Sequence, residues 1–327
     1  MASYIPHNTV RVYLYNSAEP LQFYNLNGLT AEKLCYIVAA KIKYHTCVLS
    51  NRDITSFQLA TKDDVSWLSP SRKIEGKMDL WFRLRYQFNR DKDCTGLGIA
   101  AMEYYYHQCR ADFLQGRSWD IFEDQEVMGL TVMDMMRYAL ENDINKNIIM
   151  KKVNYKNYLP YPLPARLDWV FKKKTLKKRI KEGLCEFAQS SWQVADLKRT
   201  YIAHFEKKHD NLGMEIFQNG TQKIKVSGDN GVEITDGKLV RTFDFCDITD
   251  VMAVHTRLNG KIDVTINLRK GQPIRSCEME SEQAESLISL LDGYYRLLVD
   301  YYHFLCDEYK SPMLGNLLEA RCHGPIS

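Results

Sequence analysis

Hydrophobic positions along this chain recur with two different periods, and the period switches twice. Near the start it is two: Val10, Val12 and Leu14 alternate with Arg11, Tyr13 and Tyr15, which predicts a half-buried strand, and Leu21 to Tyr24 predicts its hairpin partner. Thr30, three residues ahead of Lys33, is placed to cap a helix whose apolar stripe runs through Leu34, Cys35, Val38, Ala39 and Ile42. Further strands are expected at Ser56 to Thr61 and at Leu80 to Phe88. Strand, strand, helix, then strands is the order of a ubiquitin-like fold, assigned to residues 9–90.

From about Gly96 to Lys208 the spacing becomes helical. One stripe runs from Ala100 to Leu114 through Met102, Tyr105, Cys109 and Phe113. A second runs from Asp124 to Asn142 through Val127, Met128, Leu130, Thr131, Met135 and Ala139. The methionines at 128, 133, 135 and 136 read as core filler, because an unbranched thioether fits irregular gaps. A third helix covers Phe171 to Phe187, and a fourth, Val194 to Lys208, turns Leu197, Tyr201, Ile202 and Phe205 inward. Helices of this length on short loops predict a bundle over residues 95–208.

After Met214 the period returns to two. Seven strands are predicted between Met214 and Met279, with Asp229-Asn230-Gly231, Asp236-Gly237 and Asn259-Gly260 as tight turns. A helix from Ser281 to Asp307 follows. Strands closed by one C-terminal helix is a pleckstrin-homology-like layout, assigned to residues 212–308.

Charge singles out the third helix of the middle region. Between Phe171 and Lys181 stand Lys172, Lys173, Lys174, Lys177, Lys178, Arg179 and Lys181, with no acid among them, whereas the whole chain carries a net charge of only +3. Leu176, Ile180, Leu184 and Phe187 share one face of the same helix, so it is amphipathic. Pro160, Pro162 and Pro164 precede it, where proline is tolerated. The basic face suits an acidic peptide or anionic lipid. The apolar residues face either a partner or the bundle core, and Gly183, unfavourable inside a helix by about 1 kcal/mol relative to alanine, suggests a close approach.

The remaining chemistry narrows the class to binding. Gly96-Leu97-Gly98 lacks the third glycine or lysine of a phosphate loop, and there is no His-Arg-Asp or Asp-Phe-Gly of a kinase catalytic site. No C-x-x-C or H-E-x-x-H is present, so neither metal nor other cofactor is expected, and no catalytic residue is assigned. Nine cysteines without paired spacing fit reduced thiols, and the N-terminus lacks the pattern of a signal peptide, which points to the cytoplasm. Nucleic acid is not an expected partner, since the surrounding charge is balanced.

Ubiquitin-like, helical, then pleckstrin-homology-like is the order of a FERM domain, an α+β multidomain architecture of three lobes. The run from Leu290 through Gly293-Tyr294-Tyr295-Arg296 to Pro312, and Cys322-His323-Gly324-Pro325-Ile326, resemble the Janus kinases. So do Ala31 to Cys35, Met133 to Arg137, and Phe245-Cys246-Asp247. The resemblance implies an acyl-CoA-binding-protein-like middle lobe, and a linker and the start of an SH2-like domain at residues 309–327. It further implies that the module docks the membrane-proximal proline-rich box of a cytokine receptor tail and couples it to JAK-STAT signalling. The attached SH2-like and kinase domains are then partners within one parent chain, held at the inner face of the plasma or endosomal membrane. By position, Leu176, Ile180, Gly183, Leu184 and Phe187 are implied as receptor-facing. The alternative is a phosphoinositide-dependent membrane–cytoskeleton FERM adaptor.

Overall fold

β1 (Thr9–Tyr13) pairs antiparallel with β2 (Leu21–Tyr24), and its other edge runs parallel to a strand nearly seventy residues further on. Between them come α1 (Ala31–Ala39), the short β3 (Lys43–Tyr44) and β4 (Cys47–Val48), α2 (Asn51–Ile54), β5 (Phe57–Thr61) and finally β6 (Met78–Leu84). The sheet order β2-β1-β6-β5, with its one parallel pair at the centre, is ubiquitin-like. Thr30 caps α1 as expected, its Oγ1 accepting from the Lys33 N–H at 3.3 Å, and Leu34, Cys35 and Val38 pack inward. This computed structural model describes residues 9–309, apart from 25, 27, 45–46, 64, 88–96, 117–121, 146–147, 162–172, 209–211, 256–259, 272 and 276–277.

The middle of the chain forms its own compact unit, Asn89–Asp210. It contains α3 (Ile99–Leu114), α4 (Asp124–Glu141), the one-turn α5 (Ile149–Lys152), a 3₁₀ turn at Tyr155–Tyr158, α6 (Lys173–Ala188) and α7 (Val194–Lys208). α4 lies against both α6 and α7. Its methionines 128, 133, 135 and 136 are all buried, as is the Tyr104-Tyr105-Tyr106 run of α3.

Met1–Phe88 and Asn211–Ser327 make up the other unit. Its second half is a meander of β7 (Glu215–Asn219), β8 (Gln222–Ser227), β9 (Gly231–Asp236) and β10 (Leu239–Phe243). A second sheet of β11 (Ile248–His255), β12 (Ile262–Leu268) and β13 (Ile274–Arg275) follows. Gly237, at φ 58°, makes the β9–β10 turn that its Asp-Gly sequence predicts. α8 (Ser281–Leu298) buries Ala284, Leu287, Ile288, Leu291 and Tyr294 among residues of both sheets.

Among the element ends that differ from the sequence expectation are two in this unit. The last ubiquitin-like strand runs from Met78 and stops at Leu84, after which the Arg85 N–H still donates to the Ser56 carbonyl at 2.9 Å while its side chain reaches Glu215. α8 stops at Leu298 rather than Asp307: the Val299 and Asp300 N–H groups both donate to the Tyr295 carbonyl, and the chain folds back. Leu305 then donates its N–H to Asp292 Oδ1 at 2.8 Å, and its carbonyl accepts from the Val251 N–H at 2.7 Å.

The two lobes of this unit are joined by buried polar contacts. Arg85, 1% exposed, forms a two-pronged ion pair with Glu215 at 2.6 and 2.8 Å, and also donates to Gln58 Oε1 at 2.6 Å and Ser286 Oγ at 3.0 Å. Such fork-shaped recognition is geometrically demanding. Glu285 accepts from the Ser71 N–H at 2.8 Å, and the Tyr86 hydroxyl donates to the Ser289 carbonyl at 3.1 Å.

Candidate docking surface

The amphipathic reading of α6 resolves into two faces with different roles. Leu176, Ile180 and Leu184 are buried inside the helical unit, on the side packed against α4. These three positions, implied as receptor-facing, are therefore core side chains here, because an apolar face that finds a neighbour in its own bundle leaves nothing for an outside partner. Gly183 has the same explanation. A Cβ at that position would lie 3.0 Å from Val132 Cγ2 of α4, so the close approach is made by the chain itself. Phe187 is half-buried and stacks on Trp192 with ring centroids 5.8 Å apart.

The opposite face carries Lys177, Lys178, Arg179 and Lys181, all exposed. Lys178 reaches Glu182 one turn on at 3.8 Å; both side chains are well solvated, and an exposed pair of this kind is worth only about 0.3–0.5 kcal/mol, leaving the ammonium available. Lys172 lies outside the described residues. For Lys173 and Lys174 only the helical backbone is described.

The helical unit also holds a buried charge network, built from α3, α4 and α7, that the pattern of residues did not announce. Lys198, 1% exposed, sits 2.6 Å from Glu103 and 2.7 Å from Glu141. Asp134 accepts from Arg137 at 2.8 Å and from Arg110 at 2.5 Å, and Arg137 also pairs with Glu141. Burial, then the cations of Arg137, Lys198 and Arg110, push His107 down to about 4, so it is neutral near pH 7. Each member occupies an ordinary polar position of a helical repeat, so nothing in the sequence distinguishes it from a surface charge. As a metal centre, the described residues offer the exposed set Asp244, Cys246 and Asp247, with ligand atoms within 4.8 Å of one another. There, Asp247 already accepts the Asp244 N–H at 3.2 Å.

With this geometry in hand, comparison with known proteins adds lineage. The FERM F2 acyl-CoA binding protein-like domain family matches residues 95–208. Among solved structures, the Myosin VII MyTH4-FERM MF2 domain of Dictyostelium discoideum superposes with a TM-score of 0.59 at 15% identity, over 88% of this chain and 58% of that one. The FERM and C-terminal domain complex of Drosophila Merlin gives 0.55 at 16% identity, over 95% and 99%. Tyrosine-protein kinase JAK3 of Rattus norvegicus is 27% identical over 344 residues, covering 93% of this chain, and JAK1 of Danio rerio is 23% identical over 402, covering 91%. The chain has the three-lobed FERM fold and is similar in sequence to the Janus kinases. This Janus-kinase-like FERM chain spans 30% and 34% of the length of those two relatives. No helix among its described residues is long and apolar enough to cross a membrane.

Proposed function

We propose that this chain is the non-catalytic receptor-docking module of a Janus-kinase-like tyrosine kinase, and that it binds the membrane-proximal, proline-rich box of a cytokine receptor tail. The observation that carries this reading is the extent of the similarity: it runs through 93% of the chain to a tyrosine kinase more than three times as long. The lobes in this reading are residues 9–90, 95–208 and 212–308, with residues 309–327 leading into an SH2-like domain. The module lies in the cytoplasm against the inner face of the plasma or endosomal membrane, and links receptor to JAK-STAT signalling through the kinase domains of its parent.

The exposed Lys177, Lys178, Arg179 and Lys181 support a role for α6 in drawing in an acidic tail and the anionic lipid beside it, each such cation being worth about 1 kcal/mol near an acidic membrane. With Leu176, Ile180 and Leu184 committed to the bundle, α6 contributes charge to the encounter, and Phe187 is the apolar residue it keeps partly open. Biolayer interferometry with immobilised membrane-proximal tail peptides from a panel of cytokine receptors tests the reading. Saturable binding that is lost when the box prolines are replaced by alanine is expected. Failure of every peptide, alone and presented on anionic vesicles, overturns it.

A further inference from the structure

Residues 299–306 fold back along α8 as a strap, and its hold on the third lobe is narrow. Val299, Asp300, Tyr302 and His303 are exposed, Tyr301 and Phe304 are half-buried, and only Leu305 and Cys306 enter the core formed by α8 and the two sheets. The backbone is fixed at that same place. The Leu305 N–H donates to Asp292 Oδ1 at 2.8 Å, and its carbonyl accepts from the N–H of Val251 on β11, an edge strand of its sheet. Arg296 adds a lighter hold from α8: its Nε donates to the Tyr301 carbonyl at 3.0 Å, and its guanidinium lies 4.9 Å from the Tyr301 ring centroid and 4.6 Å from that of Phe304. Arg52 and Tyr295 also meet the rings of Tyr301 and His303.

The strap covers a space between lobes. Phe304 and Cys306 line one side of a cavity of about 490 Å³, whose other side is made by first-lobe residues such as Ala31, Phe57 and Leu68. It also covers Asp292. Burial pushes that carboxyl up to about 6, although the Leu305 N–H and the nearby Arg296 and His303 favour its charged form. Near neutral pH the closed strap therefore keeps a carboxylate that water would solvate better, and this cost offsets part of what burying Leu305 contributes.

We infer that this strap is a built-in lid: it opens as a unit about residues 298–300 while the first and third lobes stay folded, and in opening it uncovers the cavity wall and the Val251 N–H. Segments with few buried apolar contacts open at a lower free energy than the whole molecule. Of the eight strap residues the two buried ones are neighbours, so one release frees the whole segment. An uncovered Val251 N–H leaves β11 open to pairing with an extended chain. The lid is independent of the charge on α6.

The free, buried thiol of Cys306 reports the opening, since an alkylating reagent reaches it when the strap leaves α8. The whole 327-residue chain is treated with excess iodoacetamide under native conditions, and each cysteine is followed by peptide mass spectrometry. Cys35 and Cys109, buried in α1 and α3, are references for larger unfolding, and the exposed Cys185 is the reference for free reaction. Cys306 is expected to react at least tenfold faster than Cys35 and Cys109, and at least tenfold more slowly than Cys185. Its rate should stay nearly constant in low urea while that of Cys35 climbs, because a local opening exposes little new surface. Leu305→Ala, which removes the anchor, is expected to speed Cys306 at least fivefold and leave Cys35 unchanged. Equal rates at Cys306 and Cys35 that rise together with urea overturn the proposal, because the strap then leaves only on unfolding. Reaction of Cys306 as fast as Cys185 overturns it from the other side, and an unaltered Cys306 rate in Leu305→Ala removes the anchor from it. Should Leu305→Ala not fold, the wild-type rates and their urea dependence still decide.

Discussion

A Cβ added to Gly293 would lie 2.0 Å from the hydroxyl oxygen of Tyr86 and 2.2 Å from its Cζ. The glycine sits in the interior of α8, where alanine is intrinsically better by about 1 kcal/mol, and the contact overrides that preference. Gly293→Ala is therefore expected to lower stability by about 1–3 kcal/mol, as overpacking of a well-filled site does. Gly129, in α4, meets nothing within 4 Å of its added Cβ, so Gly129→Ala is expected to be neutral or stabilising by up to about 1 kcal/mol. Urea unfolding of the two variants side by side measures both.

The two faces of α6 should separate in mutation. Ile180→Ala removes a fully buried side chain and is expected to cost about 2–4 kcal/mol, whereas Lys178→Glu, on the solvated face, should change stability by no more than about 0.5 kcal/mol. Thermal unfolding checks the ranking; a reversed order would place the helix the other way round.

Reversing charge at Lys177, Lys178 and Lys181 together is expected to slow association with an acidic receptor-tail peptide about tenfold at low salt, with a much smaller change in dissociation rate. Above about 0.5 M salt, where charges are screened within a few ångströms, wild type and variant should converge. Interferometry across a salt series reads both rates, and co-sedimentation with vesicles containing anionic lipid reads the membrane contribution.

His107 makes stability depend on pH. Its folded-state value, about 4, lies below the ordinary 6.5, so the unfolded chain binds the proton more tightly. The stability associated with neutral His107 is complete above pH 6.5 and is lost progressively as pH falls toward 4, by up to about 3 kcal/mol. His107→Gln should flatten that part of the profile. Denaturation midpoints at half-unit steps between pH 7 and 4 follow it.

How much of this was legible in the sequence depended on whether a residue acts through periodicity or through a partner distant in the chain. The cap at Thr30, the Asp236-Gly237 turn and the methionine-filled α4 are local, and the spacing foretold them. The basic face of α6 was equally plain. Its apolar face was ambiguous, because Leu176, Ile180 and Leu184 show the same period whether they meet α4 or another molecule. The end of α8 was overestimated for a related reason: Leu305 is apolar and falls in helical register, yet it is buried by folding back beside Asp292. Arg85 and Lys198 escape a reading of the sequence, because their carboxylate partners Glu215 and Glu103 are 130 and 95 positions away.

The position of Arg85 also says something about the order in which the molecule can be completed. Its guanidinium is wholly enclosed, yet Glu215 and Ser286 lie 130 and 201 residues downstream, beyond the entire helical unit. On a translating ribosome the first lobe thus emerges with a cation whose counter-charge has not been synthesised, and at ~5–20 residues per second that interval lasts several seconds or more. The ubiquitin-like lobe is in this sense an unfinished half, sealed only when the last third of the chain arrives to cover it.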